Sequence, residues 1–279
     1  MLLRPYTCGP LSYAIPALLL ACVQLLMLPL GSRLCAADIE EIVTAKVLRV
    51  GVLAGETPPF LQGPAGGALG GLEGEFISEV ARRMDVKLEV VRTARTGDEL
   101  IAQVVSSRID VAIGQLTDSL EWAKSVRFTK PYLVLQEVRL VDRLAATRAG
   151  GSTRLLASKT ARVSAVAGSV VLPALQEEFG DRLGIVPTLG SAVDEVLSGK
   201  SLAAVGDDVA VVRWLQANPA LGLRLELSTR GDRRPGLAIA VPWKSDDLQA
   251  WLNLCIDKCN LDGTLKSLVA KYLGDPLAR

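Results

Sequence analysis

Two polar residues that could bind a small molecule lie directly after a predicted buried strand. Gln115 and Thr117 follow 110–114, a short apolar run that begins with an acid. A polar turn between a strand and a helix N-terminus is where open α/β sheets bind ligands, because unpaired backbone N–H groups point there. The pattern therefore predicts a binding site built from strand ends.

The chain of 279 residues contains no histidine. This absence excludes Ser-His-Asp and Cys-His catalysis, metal sites with histidine ligands and a histidine pH switch. The absence of histidine does not exclude an enzyme that relies on carboxylates or lysine.

Charge and composition limit the classes of partner. The 31 basic and 30 acidic residues leave a net charge of +1, so there is no basic footprint for a nucleic acid. Hydrophobic residues make up 49% of the chain, and the composition is typical of an α/β fold with a buried parallel sheet.

The N-terminal residues 1–37 read as a signal peptide. Arg4 supplies the positive start, 14–30 is an apolar run, and Cys35-Ala36-Ala37 offers small residues for cleavage. The alternative is a retained membrane anchor, since the run approaches the ~20 residues that a span requires. Pro16 and the small residues directly after the run favour export, and we expect a periplasmic protein.

Cys255 and Cys259 remain after removal of the signal peptide. They lie four residues apart on a predicted helix, where Cβ atoms are about 5–6 Å apart. A relaxed disulfide needs about 3.5–4.5 Å. Both residues also continue an apolar stripe of that helix, so we interpret them as core residues rather than as a disulfide or a redox pair.

The order of predicted elements indicates two βα series. The first series covers 38–141 and the second covers 142–234, with a polar boundary segment at 145–159. The last part, 235–279, returns to the first series as a strand and a long helix. Two series joined by two extended hinge crossings predict an α/β clamshell of two lobes, each a mostly parallel sheet flanked by helices.

Two local expectations concern how candidate residues are held. Ser119 is predicted to cap a helix whose buried side includes Leu120 and Val126. Asp98 is predicted to cap the helix 99–106.

The segment 110–132 resembles the signature of the periplasmic solute-binding proteins of family 3, the amino-acid receptors of ABC importers. The Gly168-Ser169 step and the sequence Asp-Gly-Thr-Leu at 262–265 are similar to the family as well, and the likeness extends over about 45–274. It implies the fold of the type II periplasmic binding proteins. Within the signature the matching residues are Asp110, Ile113, Thr117, Val126, Phe128, Thr129, Pro131 and Tyr132.

The resemblance also implies which residues face a ligand. In the family, hydrogen-bonding groups from both lobes converge on the ligand, so that closure buries it. Structural roles compete with each assignment, because hydroxyls and carboxylates also satisfy turns and helix caps and an indole also fills a core. The matching positions are the Gln115 carbonyl, Thr117 and Trp122 in the first lobe, and Ser169, the Val170 amide and Asp207 in the second.

Three positions depart from the family pattern. Trp122 stands where the family has an arginine that grips the α-carboxylate of the ligand, and Thr57 and Gly97 replace aromatic walls. Asp207, which matches the aspartate that holds the ammonium group, is kept. A cleft with an indole and a carboxylate suits a cation, an amine or a stacked ring better than a free amino acid. Arg95, on a loop near the mouth, is the residue that would restore a positive charge.

We therefore expect a solute receptor that is not an enzyme and that has no cofactor, metal or catalytic residue. Its expected partners are a small-molecule ligand and an ABC permease, with no nucleic acid, and it is expected to be a monomer. Two alternatives stay open. One is a repurposed clamshell that acts as an accessory to another periplasmic protein such as a dehydrogenase. The other is a dehydratase-like enzyme, which Trp122 disfavours because such relatives also use the carboxylate-gripping arginine.

Overall fold

The computed structural model describes residues 38–64, 66–158, 160–229 and 234–274. The signal peptide predicted at 1–37 lies outside these residues and stays a prediction. Within the described ranges, no helix combines the length and the apolar character needed to cross a membrane.

Helices and strands alternate through most of the described chain. The strands are β1 (Val47–Leu53), β2 (Lys87–Ala94), β3 (Val111–Ala112), β4 (Val126–Phe128), β5 (Leu133–Val134), β6 (Glu137–Asp142), β7 (Val163–Val166), β8 (Leu183–Val186), β9 (Ala203–Asp207), β10 (Leu225–Thr229), β11 (Gly236–Leu237) and β12 (Ala240–Pro242). The α-helices are α1 (Ile39–Ala45), α2 (Gly71–Met84), α3 (Gly97–Val105), α4 (Arg143–Ala149), α5 (Ser152–Leu156), α6 (Leu172–Phe179), α7 (Leu189–Leu197), α8 (Asp208–Ala217), α9 (Pro219–Gly222), α10 (Asp246–Leu261) and α11 (Thr264–Tyr272).

The first sheet has the strand order β2-β1-β3-β12-β4. β1 pairs in parallel with β2 and β3, whereas β12 runs antiparallel to β3 and β4. All its strands except the returning β12 therefore point the same way. Apolar side chains cover both faces, with α2, α10 and α11 on one face and α3 on the other. We call this sheet and its helices the first lobe.

The second sheet has the order β10-β6-β9-β7-β8. β7 pairs in parallel with β8 and β9, and β6 runs antiparallel to β9 and β10. Helices α4 and α6 cover one face, and α7 and α8 cover the other. This sheet and its helices form the second lobe. The prediction of two α/β lobes whose sheets are flanked by helices is confirmed, and each sheet combines two parallel pairings with two antiparallel ones.

The chain passes between the two sheets through the strands β5 and β11, which pair antiparallel with each other. Leu237 of β11 is fully buried. Just after β5, the backbone N–H of Gln136 donates to Asp208 Oδ1 at 3.2 Å, and the Asp208 N–H donates back to the Gln136 carbonyl at 2.9 Å. The buried Asp208 thus ties this crossing to the start of α8.

The expectation of a helix after Ser119 is wrong. The Ser119 hydroxyl does accept the N–H of Trp122 at 3.2 Å, but only a single 3-10 turn, Trp122–Lys124, follows. Leu120 is 84% exposed instead of buried. Val126 belongs to β4 because this segment pairs with β12 and completes the first sheet.

The prediction that Asp98 caps α3 is also wrong, by two residues. Thr96 is the cap, because its hydroxyl accepts the N–H of Glu99 at 3.2 Å. Asp98 lies in the first turn of the helix, where its carboxylate takes another partner. The segment 145–159, expected as a polar boundary, is largely helical and contributes to α4 and α5.

Cys255 and Cys259 are free thiols on the buried side of α10, as the sequence predicted. They belong to the core cluster of the first lobe. Burial raises the pKa of Cys255 to about 12 and also raises that of Cys259. Both side chains therefore behave as small core residues.

Candidate functional site

A cavity of about 330 Å³ opens where the end of β3 faces the second lobe. Gln115 is the lining residue from the first lobe, and the remainder come from the turns after β7 and β9 and from α7 and α8. Four predicted site residues, Gln115, Ser169, Val170 and Asp207, therefore lie around one cavity. The full lining consists of Gln115, Val166, Ala167, Gly168, Ser169, Val170, Leu189, Gly206, Asp207, Ala210 and Trp214.

One side of helix α8 forms a wall of this cavity. Asp207 is its N-cap, and Ala210 and Trp214 follow at intervals of three and four residues, so all three lie on one helix face. Trp214 was not predicted from the sequence. Its position seven residues after Asp207, on the same helix face, is the feature that would have identified it.

Asp207 is a buried carboxylate. Its Oδ1 accepts the N–H of Ala210 at 2.9 Å, which is the helix-cap role that competed with ligand binding in the sequence analysis. Burial raises the pKa of Asp207 above its usual value, and the neighbouring Asp208 raises it further. Among the described residues, no Lys or Arg forms an ion pair with Asp207. A cation in the cavity would therefore relieve an electrostatic cost that the protein already bears.

The turn after β7 presents backbone groups and a hydroxyl to the same space. Gly168 adopts the left-handed φ of +74°, which lets the chain turn sharply between β7 and α6. The Ser169 N–H donates to the Val166 carbonyl at 3.1 Å and closes this turn. Ser169 and Val170 follow in the cavity lining, as the family pattern implies.

Gln115 is held by a residue that the sequence analysis assigned no role. Its N–H donates to Oε1 of Glu73 at 2.7 Å, and the Tyr132 hydroxyl donates to the same oxygen at 2.5 Å. Glu73 is only 1% exposed. Desolvation raises the pKa of Glu73 to about 7, although both hydrogen bonds act in the opposite direction.

Glu75, two residues later on the same helix, has a structural role. Its Oε1 accepts hydrogen bonds from Lys271 Nζ and from the Tyr272 hydroxyl, both at 2.6 Å. Glu75 thus ties α2 to α11. A half-buried acid such as Glu75 and a buried acid such as Glu73 cannot be distinguished by sequence alone when both lie in the same helical turn.

Trp122 does not line the cavity. Its indole N–H donates to Asp98 Oδ1 at 2.8 Å, and its ring packs beside Leu116 and Phe128. A Cβ atom on Gly97 would lie 2.9 Å from Cη2 of Trp122. The ring therefore covers the position where the family pattern has an aromatic side chain.

The other three predicted site residues also lie outside the cavity lining. Thr117 is buried, and its backbone pairs with Leu237 near the hinge. Arg95 is exposed, and its N–H donates to Glu99 Oε2 at 2.7 Å. Thr57 pairs with Leu61 in the turn after β1. Their roles in binding stay predictions.

Metal binding is not indicated by the described residues, which contain no group of three or more acidic or cysteine side chains arranged to hold a metal ion. The chemistry that the cavity offers is hydrogen bonding from backbone and side-chain groups, one buried acid and one indole.

The sequence model of the bacterial extracellular solute-binding proteins, family 3, matches residues 48–275. The chain belongs to this family. Membership makes it a solute-binding protein of the amino-acid type, associated with ABC transporters and located outside the cytoplasm.

Two relatives match most of the chain. A protein of Haemophilus influenzae, named a probable amino-acid ABC transporter-binding protein, is 26% identical over 235 residues, which cover 84% of this chain and 88% of the relative. The probable amino-acid-binding protein YxeM of Bacillus subtilis is 27% identical over 248 residues, covering 83% and 85%.

A solved structure confirms the two-lobed fold. The ancestral amino-acid-binding protein AncCDT-1, described as a precursor of cyclohexadienyl dehydratase, superimposes with a TM-score of 0.63. The match covers 85% of this chain and all of the other at 24% identity. At this identity the likeness concerns the fold and carries no statement about ligand or activity.

Proposed function

We propose that this protein captures a small cationic or amine-bearing molecule in the periplasm and delivers it, as a monomer, to an ABC permease of the inner membrane. One observation carries the proposal: the cavity lining includes the buried Asp207 and also Trp214, while no residue of this lining, among those the structure describes, is Lys or Arg.

An ammonium or guanidinium group fits this environment for two physical reasons. Next to Asp207 it would supply the opposite charge that a desolvated carboxylate lacks. Over the indole of Trp214 it would gain a cation–π interaction of about 0.5–2 kcal/mol. The Gln115 carbonyl and the groups of the Gly168–Val170 turn would then bind the remaining donors and acceptors of the ligand.

A ligand carboxylate lacks a counterpart in the same cavity. The arginine of the family pattern is replaced by Trp122, which is engaged with Asp98 instead. Losing a charge-assisted hydrogen bond costs about 1.5–3 kcal/mol, which corresponds to roughly tenfold to a hundredfold in affinity. Ordinary L-amino acids are therefore expected to bind weakly.

Agmatine and L-arginine form a matched pair of probes, because they differ only in the carboxylate. We expect agmatine to raise the melting temperature of the exported protein and to bind in titration calorimetry at least about tenfold more tightly than L-arginine. Asp207→Asn should weaken agmatine binding strongly, and Trp214→Leu should weaken it less. Glu121→Gln, which alters an exposed ion pair with Lys124, is the control.

Tighter binding of L-arginine than of agmatine would contradict the proposed ligand class. Arg95→Gln would then test whether Arg95 supplies the carboxylate contact. Failure of both probes and of a wider panel of polyamines and aromatic amines would favour the accessory role instead.

A further inference from the structure

Glu73 joins three parts of the first lobe through a single carboxylate oxygen. The residue lies in the first turn of α2, and its Oε1 accepts both the Gln115 N–H and the Tyr132 hydroxyl. Gln115 lines the cavity, and Tyr132 immediately precedes β5, the first hinge strand. The side chain thus connects a helix, the ligand-facing turn and the entrance to the hinge.

The Gln115 backbone needs such a contact. It has a φ of +56°, in the left-handed region, although it is not glycine. This conformation costs about 1–2 kcal/mol and persists only when surrounding contacts hold it. The hydrogen bond to Glu73 is a contact of this kind, because it is made to the strained residue itself and is partly buried.

We propose that Glu73 is a positioning residue of the ligand cleft, whose carboxylate fixes the strained Gln115 backbone at the edge of the cavity and links it to the hinge through Tyr132. The proposal rests on the proposed function only in taking this cavity as the ligand site.

No cation neutralises Glu73 among the described residues, and its Oε2 is buried without a hydrogen-bond partner. Tyr132 is the titratable group that faces it, and burial raises the pKa of this phenol well above its usual value, so it stays neutral. Four basic side chains of the neighbouring elements are engaged elsewhere: Arg49 with Asp110, Arg92 with backbone carbonyls, Arg83 with Glu79 and Asp262, and Lys271 with Glu75.

A change in the protonation state of Glu73 therefore changes the hydrogen bond that holds Gln115 at the cleft. An ionised carboxylate accepts a stronger hydrogen bond than a neutral acid, so loss of the proton tightens the hold on Gln115. Because the pKa of Glu73 is raised to about 7 by burial, this change falls between pH 6 and pH 8.

Hydrogen exchange of the Gln115 amide tests the proposal without any ligand. In nuclear magnetic resonance measurements on the exported protein, Glu73→Leu should lower the protection of this amide by about tenfold or more. Glu73→Gln keeps an acceptor and should preserve most of the protection. Glu75→Gln, on the same helix, is the matched control and should leave Gln115 unchanged.

The pH dependence of this protection is a second test, because a purely structural role for Glu73 would not produce it. After correction for intrinsic exchange, protection of the Gln115 amide should rise between pH 6 and pH 8 in the unaltered protein and stay level in Glu73→Gln. Equal protection in Glu73→Leu and the unaltered protein, or an unchanged pH response in Glu73→Gln, would overturn the proposal.

Agmatine binding provides a separate test. Its affinity should increase severalfold from pH 6 to pH 8, and less in Glu73→Gln, since the ionised carboxylate both orders Gln115 and favours a nearby cation. If agmatine does not bind the unaltered protein, the proposed ligand class fails, whereas the exchange of the Gln115 amide still decides the role of Glu73.

Discussion

The ring of Trp122 occupies the space that a side chain at Gly97 would need, since a Cβ atom there would lie 2.9 Å from Cη2 of the indole. The departures from the family pattern at positions 97 and 122 are therefore structurally linked. The arginine is lost because an indole has taken its place in the chain, and the aromatic residue at position 97 is lost because that indole covers it.

This exchange predicts energetic coupling between the two positions. Gly97→Ala should destabilise the protein by about 1–3 kcal/mol, because the added methyl group overlaps the ring. In a Trp122→Ala background the same substitution should stabilise by about 0.5–1 kcal/mol, the usual gain of alanine over glycine in a helix. Urea denaturation of the four proteins measures the coupling, and identical effects in both backgrounds would show that the two positions are independent.

Restoring the family arginine should not by itself restore amino-acid binding. In Trp122→Arg, the guanidinium would find Asp98, whose carboxylate now accepts the indole N–H at 2.8 Å, and would form an ion pair there. The double variant Trp122→Arg/Asp98→Ala frees that guanidinium and should bind L-arginine more tightly than either parent. Calorimetry of the three variants checks this, with agmatine as the ligand that should gain nothing.

The buried acid predicts a definite dependence of stability on pH. The pKa of Glu73 is raised by burial from 4.5 to about 7. Unfolding therefore releases a proton between these values, so Glu73 contributes its full stabilisation below pH 4.5 and loses it as the pH rises through 7. The difference amounts to about 3 kcal/mol.

Glu73→Gln should remove this decline, which denaturation at pH 5 and pH 8 would reveal. Glu75→Gln is the control and should keep the decline, because hydrogen bonding to Lys271 lowers the pKa of Glu75 and its contribution is lost only as the pH falls below 4.5. A parallel decline in the unaltered protein and in Glu73→Gln would assign the pH dependence to other groups.

Because Cys255 and Cys259 are free thiols in the core, we expect the stability of the protein not to depend on reductant. Replacing Cys255 and Cys259 together with alanine should cost about 1–3 kcal/mol through lost packing. Adding reductant to the unaltered protein should leave its melting temperature unchanged. A marked fall in melting temperature with reductant would reveal a disulfide that the structure does not contain.

The sequence predicted the lobes because apolar runs and their order, which are local patterns, specify the sheets. Asp207 became a candidate through the family resemblance, and it lies in the cavity lining, while its role in binding stays a prediction. Trp122 was harder to place, since its partner Asp98 lies 24 residues away and was assigned to a helix cap. Glu73 was missed for a similar reason: only its tertiary contacts with Gln115 and Tyr132 distinguish it from an exposed acid in a first helical turn.

All but one of the residues that line the cavity lie between positions 166 and 214. Under the proposed function, the contacts that the second lobe makes with the ligand are thus encoded in one continuous stretch of the gene. Substitutions there could alter what is captured while leaving intact the first lobe, the hinge strands and both ends of the described chain. Recombination of this single stretch with its counterpart in a relative would be the shortest evolutionary route, or engineering route, to a receptor with a new specificity.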